Sequence, residues 1–361
     1  MAYISESLLY VSFAILAGAM LLRLVPEQLK PTLTVPHWLL IACAVAIPVL
    51  SFIPIHQLNV SYAASFELSY WEMLKSLLLD VKAGTAWTWT LLSSLGLLFL
   101  LSARSFRNDR HMPKVALFIV LLLVIWLGYA SHASSLSSMK GLIVHTLHFL
   151  PVTLWLGTLF VVGMFAVDGR NWESWLRWFS PLAVGCSLLA LAAGFTLMTF
   201  TTPQYLNGWM LPYGQAMLIK HLLIVPLLLL AYTNGFRYKS MLKRNPSFMP
   251  GRWLRAEAVV AALVLAATGY MGQQAPPHDV KVTLGSVPPS PLFTSLFKGP
   301  FSPDMGVKLQ WSMESILMLI AAGLMAYGIR SAYRIDRPYI ALASGLLTAV
   351  FGYFGLMFAM S

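Results

Sequence analysis

The chain has 361 residues, of which 58% are hydrophobic and only 10% charged. A water-soluble domain of this size could not bury so much apolar surface, so the composition excludes one and points to an integral membrane protein. The formal net charge of +11 does not signal a nucleic-acid partner, because no basic stretch is interleaved with aromatic residues.

Runs of about twenty apolar residues, separated by charged or proline-rich stretches, predict ten transmembrane helices. They fall near 4–24, 36–54, 86–103, 114–131, 141–167, 179–201, 214–235, 254–272, 312–331 and 338–360. The expected fold class is all-α, a polytopic helix bundle surrounded by membrane lipids. The first run lacks a basic leader and a cleavage site and carries Glu6, which favours a retained span over a signal peptide. Basic residues collect in short cytoplasmic loops. Alternate loops here hold Arg23 and Lys30; Arg104, Arg107, Arg110 and Lys114; Arg170 and Arg177; Arg237, Lys239, Lys243, Arg244, Arg252 and Arg255; and Arg330, Arg334 and Arg337. Both termini are therefore expected outside, N-out and C-out, in a multi-pass protein of the cell membrane.

Residues 1–131 form a first block of four spans. Between the second and third lies FELSYWEMLKSLLLDVKAG, where Phe66, Trp71, Leu74, Leu78 and Val81 recur at helical spacing opposite Glu67, Glu72, Lys75 and Lys82. This predicts an amphipathic helix, lying in the outer interface or packed on the span ends. The second block, 132–277, opens with a short polar loop after His132 and carries spans five to eight. A basic loop, NGFRYKSMLKRNPSFMPGRWLR, joins the last two of these. Residues 278–311 are rich in proline, with two alternating runs, Val280–Leu284 and Val307–Trp311, that suggest a small hairpin. The last block, 312–361, holds spans nine and ten.

Ionisable side chains inside a span are costly and mark functional sites by default. His145 and His148 are three apart on the fifth span and so share a face, with Trp155 two turns beyond His148. With about 1.5 Å of rise per residue, His145, His148 and His221 lie at similar depth, roughly 5–10 Å into their helices. Met217 precedes His221 by four, and Met198 falls near the same boundary. Imidazole with thioether sulfur suits copper, whereas hard cations need oxygen, and no Asp or Glu falls at the middle of a span. The candidate metal ligands are therefore His132, His145, His148, His221, Met217 and Met198. Cys186, Cys43 and Met164 are possible secondary stations, set deeper or toward the inside. Trp155, Lys220 and Tyr213 are supporting residues. Lys220 either snorkels outward or holds an anionic group such as a haem propionate. Any single intramembrane histidine also has an ordinary use as a hydrogen-bond donor between helices, and methionines are mostly core filler in a chain with 18 of them. The competing cofactor is haem b, ligated by His145 or His148 with His221. No hydrolase, metalloprotease, P-loop or CxxC motif is present, which argues against an ATP-driven pump, and no enzyme activity is expected unless the haem alternative, a membrane redox protein, holds.

Taken together, SHA, HTLHFLPVTLWLG, FSPLAVGCSLLALAAG, LPYGQAMLIKHLLIV, AYTN and LRAEAVVAALVLAATGYMGQQAPP resemble the CopD copper-resistance family over about 132–277. The elements that carry the resemblance are His148 with Trp155 and Gly157, Phe179-Ser180, Gly194, Pro212-Tyr213-Gly214 with Lys220, Asn234, and Ala275-Pro276-Pro277. Asn234-Gly235 stands where the family has an Asn-Arg pair, and Ser131 replaces a common glycine. The resemblance implies copper import across the cytoplasmic membrane, with copper homeostasis and resistance, and an outer donor protein of the CopC type. A copper-delivery factor for an oxidase is the other copper reading.

Overall fold

A computed structural model describes residues 2–103, 109, 111–244 and 250–361. Arg104, Arg107 and Arg110, which contributed to the orientation argument, lie outside the described residues, as do the side chains of Arg237, Lys239, Lys243 and Arg244. The described chain is helical, without strands, and ten helices are long and apolar enough to cross a membrane, in agreement with the ten spans expected. Packing divides it into two compact units, 1–200 and 201–361.

The first unit contains α1 (Ala2–Leu24), α2 (His37–Ser65), α3 (Tyr70–Asp80), α4 (Lys82–Ser102), α5 (Met112–Ala130), α6 (His132–Phe165) and most of α7 (Trp172–Thr201). Helix α1 is central and packs on α2, α5 and α6. Its buried stripe is Leu9, Phe13, Leu16, Ala17 and Met20. Helices α1 and α6 approach closely where Gly18 and Gly157 face each other. A Cβ on Gly157 would run into the Ala14 carbonyl, and one on Gly18 into the Gly157 backbone. Lipid supplies no hydrophobic drive between helices, so such small-residue contacts carry the association.

Helix α3 exists, but it packs a different stripe from the one expected. Ser69 and Glu72 form a capping box that starts the helix at Tyr70. Met73 and Leu77 are buried toward α2 and α4, while Trp71 and Leu79 are exposed. Val81 is the joint to α4 rather than part of the stripe. The expected polar loop after His132 is also helical. Ser131 caps it by accepting from Ser134 N, and the break comes later, at Ser137 and Ser138. Ser138 has φ 39° and ψ −119°, a conformation that favours glycine. Lys82 steadies this kink by donating to the Ser134 carbonyl at 2.8 Å and to its Oγ at 2.6 Å.

At the other end of α6 the chain segments around Leu33 and Ala166 form an isolated antiparallel bridge. Asp168 follows, and the Arg170 guanidinium, helped by the Thr32 hydroxyl at 2.8 Å, lowers its carboxyl to about 2. A carboxyl held below its unfolded value adds stability that is complete above the ordinary carboxylate range and fades as pH falls through its folded value. Asp168→Asn should therefore melt below the wild type at neutral pH, with the two curves converging as pH approaches about 2. Parallel melting curves at all pH values would refute that role.

The second unit contains α8 (Tyr205–Gly208), α9 (Pro212–Arg244), α10 (Gly251–Gly272), α11 (Val280–Leu284), α12 (Pro291–Leu296), α13 (Met313–Arg334) and α14 (Pro338–Met357). Here α9 is central, with α10 and α14 packed on it. Much of the expected basic loop is the continuation of α9 to Arg244. The expected hairpin does not form. Val280–Leu284 is a helical turn started by Asp279, whose side chain accepts from Val282 N. The second run bridges at Leu309 to Met360 near the C-terminus instead. The proline-rich segment buries Val280, Phe293 and Val307 with Trp209, Met210, Leu211 and Met357. It is thus a packed cap on the α8–α9 end, tied down by Val307 N donating to Asn207 Oδ1 at 2.8 Å.

Candidate functional site

In the first unit the site is built on the middle of α6. His148 lies 2.7 Å through Nδ1 from the Ala190 carbonyl of α7. A carbonyl only accepts, so Nδ1 carries the proton, and the neutral ring then presents its lone pair at Nε2. That is how metal-binding imidazoles are commonly held, with the far nitrogen anchored to a backbone oxygen. Gly194 makes room for the ring: a Cβ there would sit 3.1 Å from Cε1 and 3.2 Å from Nδ1 of His148. Ala190 and Ala193 are buried, so this side of α7 is a row of small residues along which the imidazole fits.

One turn before His148, His145 is half-buried and stacks on Phe149 with ring centroids 6.2 Å apart. Phe149 in turn packs on Tyr10 and Phe13 of α1. Two contacts fix α6 and α7 as antiparallel here: His148 at Ala190, and Lys140 with its ammonium 5.0 Å from the Phe200 ring centroid. Met198 lies on α7 between Ala190 and Phe200, four residues beyond Gly194, and is half-buried. His132, at the start of α6, is exposed, and Met139 beyond the kink is exposed as well. Trp155 is buried, and its indole N–H has no acceptor among the described residues.

In the second unit, His221 of α9 is half-buried, with Nδ1 2.8 Å from the Tyr205 hydroxyl of α8 and the two rings tilted 5.6 Å apart. As at His148, an internal partner occupies Nδ1. Met217, one turn earlier, is buried. Lys220 is half-buried. Tyr213 is buried, and its hydroxyl bonds Thr201. Of the secondary candidates, Cys186 is buried on the small-residue side of α7, and Cys43 is buried on α2 in hydrogen-bond contact with Ser12. Both thiols are free. Met164 is exposed on α6.

Among the described residues no three His, Cys, Asp or Glu side chains form a group able to hold a metal ion. Within the first unit, His145 and His148 lie one turn apart on α6, and α7 holds His148 through Ala190 and Gly194. His132 stands apart from them, beyond the kink. In the second unit, Met217 and His221 share one face of α9.

Sequence reasoning missed three contributors. The Ala190 carbonyl and the Tyr205 hydroxyl gave no sequence signal, since both act through tertiary contact alone. The third, Glu257, is buried on α10 and bonded by Asn234. It sits seven residues into its helix and was discounted for lying short of the middle of a span.

The fold and these imidazoles define a polytopic helical membrane protein with histidines anchored inside its spans. Residues 173–271 match the family model described as copper resistance protein D, and residues 2–142 match the one described as copper resistance protein D-like, N-terminal domain. The chain belongs to the copper resistance protein D family. The likeness thus reaches the first four spans, outside the 132–277 stretch that carries the sequence resemblance. His132 falls in the N-terminal match, and Cys186, Met198, Tyr213, Met217, Lys220 and His221 fall in the other. His145, His148 and Trp155 lie between the two matched segments. No curated protein and no solved structure matches the chain.

Proposed function

We propose that this protein carries copper across the cytoplasmic membrane toward the cytosol, and so serves copper homeostasis and resistance. The observation that carries the reading is the anchoring of His148 inside its span, through Nδ1, on the Ala190 carbonyl. Nδ1 donates to that carbonyl at 2.7 Å, the kind of contact that orients a metal-binding imidazole for ligation through its other nitrogen. His145, one turn away on the same face of α6, is the second nitrogen. His221, held through Nδ1 by Tyr205, and Met217 supply the same ligand types on α9. Imidazole and thioether together favour copper over hard cations. His132, at the exposed start of α6, is the first ligand an incoming ion meets if the termini face outward, where a donor protein of the CopC type would deliver it. Copper is cargo in this reading, and the chain catalyses no reaction on it.

Uptake by proteoliposomes containing the purified protein tests the proposal. External copper should reach a trapped copper-sensitive dye faster with wild type than with His148→Ala, by tenfold or more. Equal rates for wild type, variant and empty vesicles would reject transport. An absorption spectrum of the same preparation with a Soret band would instead support haem ligation.

A further inference from the structure

The second unit also holds a buried carboxylate that the copper reading does not use. Glu257 is 3% exposed and Asn234 is 4% exposed. The Asn234 amide donates from Nδ2 to Glu257 Oε2 at 2.6 Å. The other half of that amide, Oδ1, is buried and has no partner among the described residues. Glu257 also forms no ion pair among the described residues.

Among the described residues, the groups around this pair do not neutralise a negative charge. On α9, one turn beyond Asn234, is Tyr238, fully buried, whose hydroxyl lies 3.5 Å from the Pro250 carbonyl. On α13 is Tyr333, buried and stacked on Trp253 at 3.7 Å. Beyond it Asp336 accepts from the Trp253 indole at 2.8 Å. Tyrosines, a tryptophan and a second acid are thus the neighbours that the described residues place here. A carboxylate removed from water without a cation is strongly disfavoured, and one hydrogen bond to a neutral amide does not compensate for it.

A carboxylic acid resolves both anomalies at once. Facing an amide, it accepts one hydrogen bond through one oxygen and donates one through the other. The amide donor is already in place at Oε2, and the acceptor that a protonated Oε1 would need is the unpartnered Asn234 Oδ1. We infer that Glu257 and Asn234 form a proton-binding site, an acid–amide pair that holds one proton in the bundle and releases it to water when the site opens. The proton bonds to Oε1 on uptake and leaves as hydronium, with no other bond changed. The inference rests on Glu257 and Asn234 alone and is independent of the copper reading.

Infrared difference spectra of the full-length protein in lipid, recorded against pH, test it directly. Wild type should show a protonated-carboxyl C=O band at neutral pH that disappears on alkalinisation. Glu257→Gln should lack the band yet remain folded, because a glutamine amide keeps both hydrogen bonds to Asn234. Asn234→Ala should retain the band at a higher frequency, having lost the donor at Oε2. A band unaffected by Glu257→Gln would overturn the inference. So would a Glu257 that stays ionised, or stays protonated, throughout the accessible pH range. Copper content enters none of these readouts, so failure here and failure of the transport proposal are distinguishable.

Discussion

Copper should co-purify with the wild-type protein and fall to background when His145, His148 and His221 are all replaced by alanine. The argument rests on donor chemistry in a setting where water is scarce. An imidazole inside a span is retained at a cost, and each of these rings has something that holds it. Phe149 stacks on His145, the Ala190 carbonyl fixes His148, and the Tyr205 hydroxyl fixes His221. Removing an outer partner of a metal-bound histidine typically weakens metal affinity by roughly 10–100-fold. Tyr205→Phe keeps the aromatic packing and loses only the hydroxyl, so it should weaken copper by about that factor. Metal analysis of detergent-purified protein, with a competing chelator for the affinity, measures both variants. An unchanged copper content in the triple variant would reject these histidines as the ligands. An unchanged affinity in Tyr205→Phe would remove His221 from the set.

The spans were legible because their signal is local. Twenty apolar residues must form a helix in lipid, since no other local structure satisfies their backbone. The contents of the loops were less legible, because there the outcome depends on tertiary partners. Val280–Leu284 alternates like a strand, yet Asp279 caps it as a helical turn and Val280 joins the core under the proline-rich cap. The amphipathic helix after the second span was legible, but the apolar face named from the sequence ran through Trp71 and Leu74, whereas Met73 and Leu77 are the residues it buries. At the site, the histidines stood out because imidazoles are rare in spans. The Ala190 carbonyl did not, since every residue has one and only the approach of α6 makes this one a partner. Glu257 was visible as a carboxylate near a helix start, and its pairing with Asn234 needed the fold to reveal it.

Gly157→Val should be the most damaging single change to the first unit, and Gly157→Ala should already be harmful. At this crossing the α1 and α6 backbones touch, with the Ala14 carbonyl and Gly18 occupying the space a side chain on residue 157 would need. No side-chain rotation relieves a clash between a Cβ and a carbonyl oxygen, so the helices must separate. Separation forfeits contacts along the whole buried stripe of α1, from Leu9 to Met20, and those dispersion contacts are what associates helices in lipid. Overpacking of this kind costs about 1–3 kcal/mol even where side chains can yield. Gly185 on α7 is the control, because a Cβ there meets nothing within 4 Å. Gly185→Ala should be neutral or slightly stabilising, since alanine gains up to about 1 kcal/mol over glycine in a helix. Thermal unfolding in detergent, with the monodisperse fraction on gel filtration, compares them. If Gly157→Val melts with Gly185→Ala, the α1–α6 crossing is not the contact that organises this unit. The same displacement would reach His145, whose stacking partner Phe149 rests on Tyr10 and Phe13 of α1. Gly157→Ala is therefore expected to lower copper affinity together with stability, although residue 157 lies more than two turns from the imidazoles.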